Sequence, residues 1–414
     1  MQTQSKAKYY PTAFVMYLTY FIHGIGAAVL GQQAIKEVLV SQWGYSDIAA
    51  NIGVVTMVSA ALGLGRLITL PFAGPMSDKL GRKICTLIGT ICYAGFFLGL
   101  AFSPSMGVAY AAAILGGVAN SFLDCGVIPE EVEIMAPRTG LATMGTKLFI
   151  AGGQKVLPML VGFIVGTVGL ESSHTHTVLY GLAIAVVAVG VVSFLLPSIS
   201  ADNASTAAKS GKKSSLIEDI KSAKWSIESF ALIIIGFTCT ATFQLWLNCA
   251  QNFAKEVVMW EDPSSMQSFY AAGTMIGLVV TAALTSKIKD VRFVMIYPAV
   301  CLVMMIGVLM IPSQGVLKVG AFVLGWFGAG GLLQIATAVC NMLFPKIKGT
   351  VTALVMIASS LCNYTLLTAA ASMTPSGVMI MNIVLTAVGV LLGVFVNMNY
   401  SKMQAAAETE DAAA

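Results

Sequence analysis

Long apolar runs, each of about twenty or more residues and separated by short polar breaks, recur from one end of the chain to the other. A run of that length crosses a ~30 Å hydrocarbon core as a helix, whereas an isolated strand would leave its backbone groups unpaired in lipid. Twelve spans are predicted, over residues 11–35, 48–72, 83–102, 106–129, 141–169, 176–197, 228–254, 265–286, 292–312, 316–344, 349–371 and 375–399. The polar leader with Lys6 and Lys8 resembles the start of a signal peptide, but the first run is too long and lacks a small-residue cleavage site. It reads as a retained first span.

Polar positions then divide the chain. The longest polar segment, "PSISADNASTAAKSGKKSSLIEDIKSAK", falls between the sixth and seventh runs. It predicts a six-helix bundle over 1–197, a cytoplasmic linker over 198–227, a second six-helix bundle over 228–400 and a cytoplasmic tail over 401–414. A short surface helix over Ser215 to Trp225 is a further expectation. The fold class is therefore an all-α membrane protein with twelve transmembrane helices.

Composition agrees: of 414 residues 57% are hydrophobic and 10% charged, where a soluble domain carries roughly 25% charged residues. The distribution of cations sets an orientation. With the N-terminus inside, seventeen lie on the cytoplasmic side: Lys6, Lys8, Lys79, Arg82, Lys83, Arg138, five between Lys209 and Lys224, Lys287, Lys289, Arg292, Lys346, Lys348 and Lys402. Only Lys36, Lys255 and Lys318 lie opposite. Both termini are expected in the cytoplasm of a cell-membrane protein. The net charge of +4 reflects that bias and meets anionic lipid headgroups, not nucleic acid. The acceptor sequence "NAS" at 203–205 falls on the cytoplasmic side and is discounted.

The loop after the second run reads "GPMSDKLGRK", Gly74 to Lys83. Its glycines allow a tight turn, Asp78 can cap a helix N-terminus, and Lys79, Arg82 and Lys83 anchor it at the surface. A glycine, three residues, Asp-Lys, one residue and Gly-Arg-Lys resembles the signature loop of the major facilitator superfamily. The 6+6 division and cytoplasmic ends extend the resemblance over the whole chain, as in a bacterial-type permease. The equivalent place in the second half, "SKIKDVRF", keeps only the cations. The resemblance implies two pseudo-two-fold-related bundles rocking about a midplane site. It also implies that Gly74, Asp78, Lys79, Gly81, Arg82 and Lys83 form a cytoplasmic latch, with Asp78 bridging toward Lys348 and Gly349.

Charges inside the spans carry the substrate argument. Arg66, Lys147 and Lys155 are deep cations and Asp124, in "NSFLDCG", is the single deep anion. Each costs roughly 2.5–3.5 kcal/mol at a helix centre, so most should face a cavity or one another. Depth arithmetic favours Lys147 as the partner of Asp124, with Arg66 the second candidate, and leaves Lys155 at the midplane without an anion. Gly117, Asn120 and Asp124 share one stripe, as do Thr143, Lys147 and Gln154 on the next span, and His23 stands beside Tyr20. The second half offers amides: Gln244, Asn248 and Gln251 as a stripe, Gln334 with Asn341, and Asn363 with Tyr364.

The expectation is a secondary transporter, most simply a proton symporter of a small carboxylate or sugar acid. Lys155 and Gln154 would hold the anion, with His23, Tyr20, Asn120, Gln244, Asn248, Gln334, Asn363 and Tyr364 around the substrate. Asp124, Lys147, Arg66 and His23 would handle the proton. A symporter of a neutral sugar or polyol, leaning on the amides and Trp246, is the alternative. A drug/proton antiporter is disfavoured by the midplane lysine and by "AGGQKVLPMLVG", which lacks that group's Gly-Pro pairing. No enzymatic site, cofactor or metal is expected: the eight cysteines lack metal spacing, and His174 and His176 read as an ordinary polar loop. Gly63 and Gly65 in "GLGRLITLPFAG", Gly116-Gly117 and Gly152-Gly153 read as helix-packing positions. Glu130, Glu131 and Glu133, after a Pro129 expected to kink or end the helix, read as solvated or paired with Arg138 and the latch loop, with a role in gating as the sharper alternative. The expected partners are a small molecule, a proton and the lipid bilayer, and the chain is expected to be a monomer.

Overall fold

The computed structural model describes residues 6–135, 139–168, 172–199, 227–285, 287–343 and 348–412, with the side chains of 6, 78, 79, 139–143, 163–168, 172–175, 228–229, 341–343, 348–350 and 403–412 left aside. Among the described residues there is no strand. The helices form two compact units, Met1–Ser210 and Gly211–Ala414.

In the first unit the spans are Tyr10–Val29 (one), Ile48–Leu80 (two), Arg82–Ala101 (three), Met106–Met135 (four), Thr139–Val168 (five) and Ser172–Leu195 (six). In the second they are Ile227–Glu256 (seven), Ser265–Thr285 (eight), Asp290–Met310 (nine), Gln314–Leu343 in segments (ten), Lys348–Ala370 (eleven) and Pro375–Ala412 (twelve). On described residues alone, eleven helices are long and apolar enough to cross a membrane; span five completes the predicted twelve as one continuous helix.

Several boundaries differ from the expected ones, each for a local reason. The first run is not one helix to residue 35: the chain turns at Leu30–Gln32 and restarts as a separate helix, Gln33–Gln42. Span two gains an N-cap, Asp47, whose side chain accepts from Ala50 N–H at 3.0 Å. Span four runs through Pro129 to Met135 instead of ending there. Span ten is broken into Gln314–Val323, a π-helical turn Leu324–Ala329, and Leu332–Leu343, with Gly331 at φ 118° in the gap. Only glycine holds that backbone conformation without strain. Span twelve continues into the expected tail, because "MQAAAETEDA" is built of good helix formers.

Glycines set the closest helix contacts. A side chain at Gly65 would collide with the Ile114 carbonyl, and one at Gly117 with the Leu62 carbonyl, so spans two and four touch backbone to backbone. Gly24 against Ile150 and Gly153 against Phe21 do the same for spans one and five. In the second unit Gly273 against Phe322 and Gly325 against Tyr270 join spans eight and ten. Small residues matter here because lipid removes the hydrophobic drive between helices and leaves close packing to hold them. Hydroxyl and amide bonds add to it, among them Thr240 to Ser359 (2.8 Å), Thr242 with Thr386 (2.8 Å) and Thr281 with Tyr297 (2.6 Å).

Candidate functional site

In the first unit the polar residues of five spans converge. Span one presents Tyr17, Tyr20 and His23 at three-residue spacing, which keeps them on one side of the helix. Tyr20 donates its hydroxyl hydrogen to Asp124 Oδ1 at 2.7 Å, and Arg66 Nη2 donates to Asp124 Oδ2 at 2.7 Å. Both oxygens of the carboxylate are therefore engaged, and the ion pair is half-buried.

The partner of Asp124 is Arg66, not the Lys147 that depth arithmetic preferred. Depth along the axes cannot include lateral distance. The contact at Gly65 and Gly117 brings spans two and four together beside Arg66, within reach of a long guanidinium side chain. Ser121 strengthens the join by donating to the Arg66 carbonyl at 3.3 Å. Lys147 lies close enough to feel both Asp124 and Arg66 electrostatically, and is bonded to neither.

His23 packs edge-on to Tyr20 at 5.8 Å, and its Nδ1 lies 2.9 Å from the Tyr93 hydroxyl on span three. Composition gave no hint of Tyr93, because a tyrosine in an apolar run reads as packing. Gln154 is buried, whereas Lys155 is exposed and Asn120 half-buried. Among the described residues no carboxylate is bonded to Lys147 or Lys155.

Toward the end of the unit that carries the Gly74–Lys83 loop, the three glutamates after Pro129 depart from the solvated reading. Glu130 and Glu131 are fully buried. Glu130 Oε1 accepts from Ile199 N–H at 2.8 Å, and Glu131 Oε2 accepts from the Thr146 hydroxyl at 2.7 Å. Because the helix continues through Pro129, both carboxyls are turned into the bundle. The segment expected as a loop is helical as far as Leu80, the end of span two, and turns at Gly81, φ 95°. Arg82 donates to Ser77 Oγ at 2.8 Å, Ser77 donates to the Cys125 carbonyl at 2.6 Å, and Lys83 donates to the Phe194 carbonyl at 3.1 Å and to that of Leu196. These cations thus tie spans two, three, four and six at one end. The side chains of Asp78 and Lys79, residues 344–347 and the side chains of Lys348 and Gly349 lie outside the described residues, and so does the expected latch. The linker, with its expected surface helix, lies there too, as do Arg138, Asn341 and His174. His176 bonds Gln42 Oε1 at 2.8 Å. Among the described residues no cluster of metal-ligating side chains occurs, and all eight cysteines are free.

The second unit is uncharged where the first is charged. Asn248 donates to the Gln244 carbonyl at 3.0 Å and to its Oε1 at 3.3 Å, so part of the expected amide stripe bonds within itself. Gln251 and Trp246 are buried, and Tyr364 is half-buried. Among its described residues four buried polar atoms have no hydrogen-bond partner: Gln267 Nε2, Trp326 Nε1, Gln334 Oε1 and Asn363 Oδ1. Gln334 and Asn363 are expected site residues; Gln267 and Trp326 were not singled out. Trp326 stands in the π-helical turn of span ten, a distortion frequent at functional sites.

An all-helical protein in two units, each with interior polar groups surrounded by apolar spans, has the architecture of a secondary transporter. The chain belongs to the Major Facilitator Superfamily, whose sequence pattern matches residues 10–363. It is 31% identical over 411 residues to the MFS-type transporter YfkL of Bacillus subtilis (strain 168), covering 95% of this chain and 98% of that one. It is 28% identical over 408 residues to the inner membrane transport protein YdiM of Escherichia coli (strain K12), covering 96% of each. The crystal structure of a D-xylose-proton symporter shares the fold, with a TM-score of 0.72 over 94% of this chain and 97% of the other at 15% identity. The chain is an integral membrane transporter of small molecules and not an enzyme.

Proposed function

We propose that this chain is a proton-coupled symporter of a small organic anion, a carboxylate or sugar acid, in the cell membrane. The observation that carries the reading is the local charge balance. Arg66 takes the single deep anion, Asp124, while Lys147 and Lys155 have no bonded carboxylate among the described residues. Two cations at membrane depth attract an anion of low molecular weight and repel cationic drugs. Lys155 is the primary anion ligand, because it is exposed at mid-span and Lys147 already senses Asp124. Gln154, Asn120, His23 and Tyr20 stand by for the substrate's polar atoms. Arg66 and Tyr20 both bond the Asp124 carboxylate, which supports Asp124 as the coupling carboxyl and Arg66 as its charge partner.

A second reading, symport of a neutral sugar or polyol, is favoured by the unpartnered oxygens of Gln334 and Asn363, which are acceptors suited to hydroxyl donors. Uptake into proteoliposomes of 4-hydroxybenzoate, gluconate, D-xylose and a quaternary ammonium dye, with and without an inward proton gradient, separates the readings. Gradient-stimulated uptake of an acid is expected. Uptake of D-xylose alone would replace the first reading by the second, and uptake indifferent to the gradient would remove proton coupling. Lys155→Ala should lower acid uptake at least tenfold; unchanged uptake would show that the anion is held elsewhere.

A further inference from the structure

The symport reading leaves two buried carboxyls unused, Glu130, which accepts a backbone N–H, and Glu131, which accepts only a hydroxyl. Glu131 follows Asp124 by seven residues, which is about two turns or ~10.5 Å along span four and returns to the same face. It is fully buried, its Oε2 accepts from Thr146, and its Oε1 has no hydrogen-bond partner. Ile134, three residues further along span four, belongs to a buried apolar cluster with Tyr9, Ala13, Tyr17 and Ile199, against which Phe149 packs.

Among the described residues the polar neighbours are few, and none neutralises it. From span one come Tyr17 and Tyr20, and Tyr20 is the hydroxyl bonded to Asp124. From span five come Thr146 and, next along, Lys147, whose electrostatic partners are Asp124 and Arg66. Arg82 on span three is bonded to Ser77. On its own helix Glu130 accepts the Ile199 N–H, a donor of fixed direction, and Glu133 lies half-buried a further half-turn along. An ionised carboxylate buried without a cation costs several kcal/mol, whereas the neutral acid costs far less.

We infer that Glu131 is a second proton-binding carboxyl, which carries the proton as the neutral acid while Oε1 is buried and releases it when water reaches that oxygen. The inference rests on the proton-coupled reading. Tyr20, bonded to Asp124, stands three residues from Tyr17 on the same side of span one. A proton that leaves Asp124 for Glu131 leaves Asp124 as the carboxylate bonded to Arg66, the arrangement present here. Release from Glu131 then leaves a carboxylate that Thr146 still bonds, and one proton has moved with no change of electrons.

Infrared spectroscopy of the whole chain in lipid nanodiscs, titrated from acid to alkaline pH in light and heavy water, reads protonated carboxyls without any substrate. The wild type should keep a carboxylic-acid carbonyl band at neutral pH that shifts on deuteration and disappears as the pH rises. Glu131→Gln should lose the band, and Glu130→Gln and Asp124→Asn should keep it. Thr146→Val should move it to higher frequency, because the carbonyl loses its donor. A wild type without the band at neutral pH, a band that survives Glu131→Gln, or one lost in Glu130→Gln overturns the inference. If Glu131→Gln does not fold, Thr146→Val decides, and an unshifted band overturns it. Absence of substrate-driven proton movement in wild-type proteoliposomes would instead end the symport reading while this spectral result stood, so the two failures are distinct.

Discussion

Arg66 and Asp124 meet at 2.7 Å with side chains 16% and 19% exposed, a degree of burial at which losing one partner costs more than losing both. The survivor keeps its desolvation penalty without its counter-charge. Arg66→Gln or Asp124→Asn alone should therefore destabilise the protein by about 2–4 kcal/mol. The double variant should cost less than the sum, with a coupling of ~1 kcal/mol or more that thermal unfolding in detergent would read. Additive losses would mean that the pair contributes little. Tyr20→Phe removes a hydrogen bond to a charged group, worth about 1.5–3 kcal/mol, and leaves the ion pair in place. Its gradient-driven uptake should fall if the Tyr20 bond holds Asp124 for coupling. Unchanged uptake would assign that bond a purely structural task.

Helices two and four approach so closely at Gly65 and Gly117 that any side chain there forces them apart. Gly117→Leu should cost more than the 1–3 kcal/mol usual for overpacking, since the obstruction is backbone that cannot rotate away. It should also abolish transport by drawing Arg66 from Asp124. Gly162→Leu on span five is the control, because nothing lies within 4 Å of that position, and its melting temperature should match the wild type. Equal losses in both would show that the glycines matter for conformation and not for approach. The counterpart contact, Gly273 and Gly325 on spans eight and ten, sits next to the π-helical turn. There the chain combines a tight approach with unpartnered polar atoms at Trp326 and Gln334, the combination expected where a helix must both pack and bind.

For the molecule as a whole, the first unit carries the interior charges and the second the interior amides, so under the proposed symport coupling would fall to the first and recognition of neutral polar groups to the second. The cation bias that orients the chain is a property of the whole sequence, and it makes a topological prediction. A green fluorescent protein fused after Ala414, made in a bacterium, should fluoresce, because that protein matures in the cytoplasm and not after export through the general secretory route. A dark fusion paired with an active alkaline phosphatase fusion at the same point would reverse the orientation.

The sequence by itself determined the solvent, the helices and their number, since apolar length and charge depletion are one-dimensional quantities that lipid reads directly. It also identified Arg66, Asp124, Lys147 and Lys155, because a charge in a hydrocarbon run is conspicuous at any position. Pairing was decided only by the tertiary structure. Lys147 and Arg66 are level with Asp124 along the axis, and the glycine contact beside Arg66 on the neighbouring helix selects between them. Glu130 and Glu131 were misread for the same reason. A proline followed by three carboxylates has the pattern of a helix end in water, and only packing against Tyr17, Thr146 and Ile199 turns two of them inward. The breaks in spans one and ten were equally hidden, because hydropathy averages over a window and is blind to a single turn of altered hydrogen bonding. Depth and composition are therefore written along the chain, whereas lateral distance between helices exists only once they have packed.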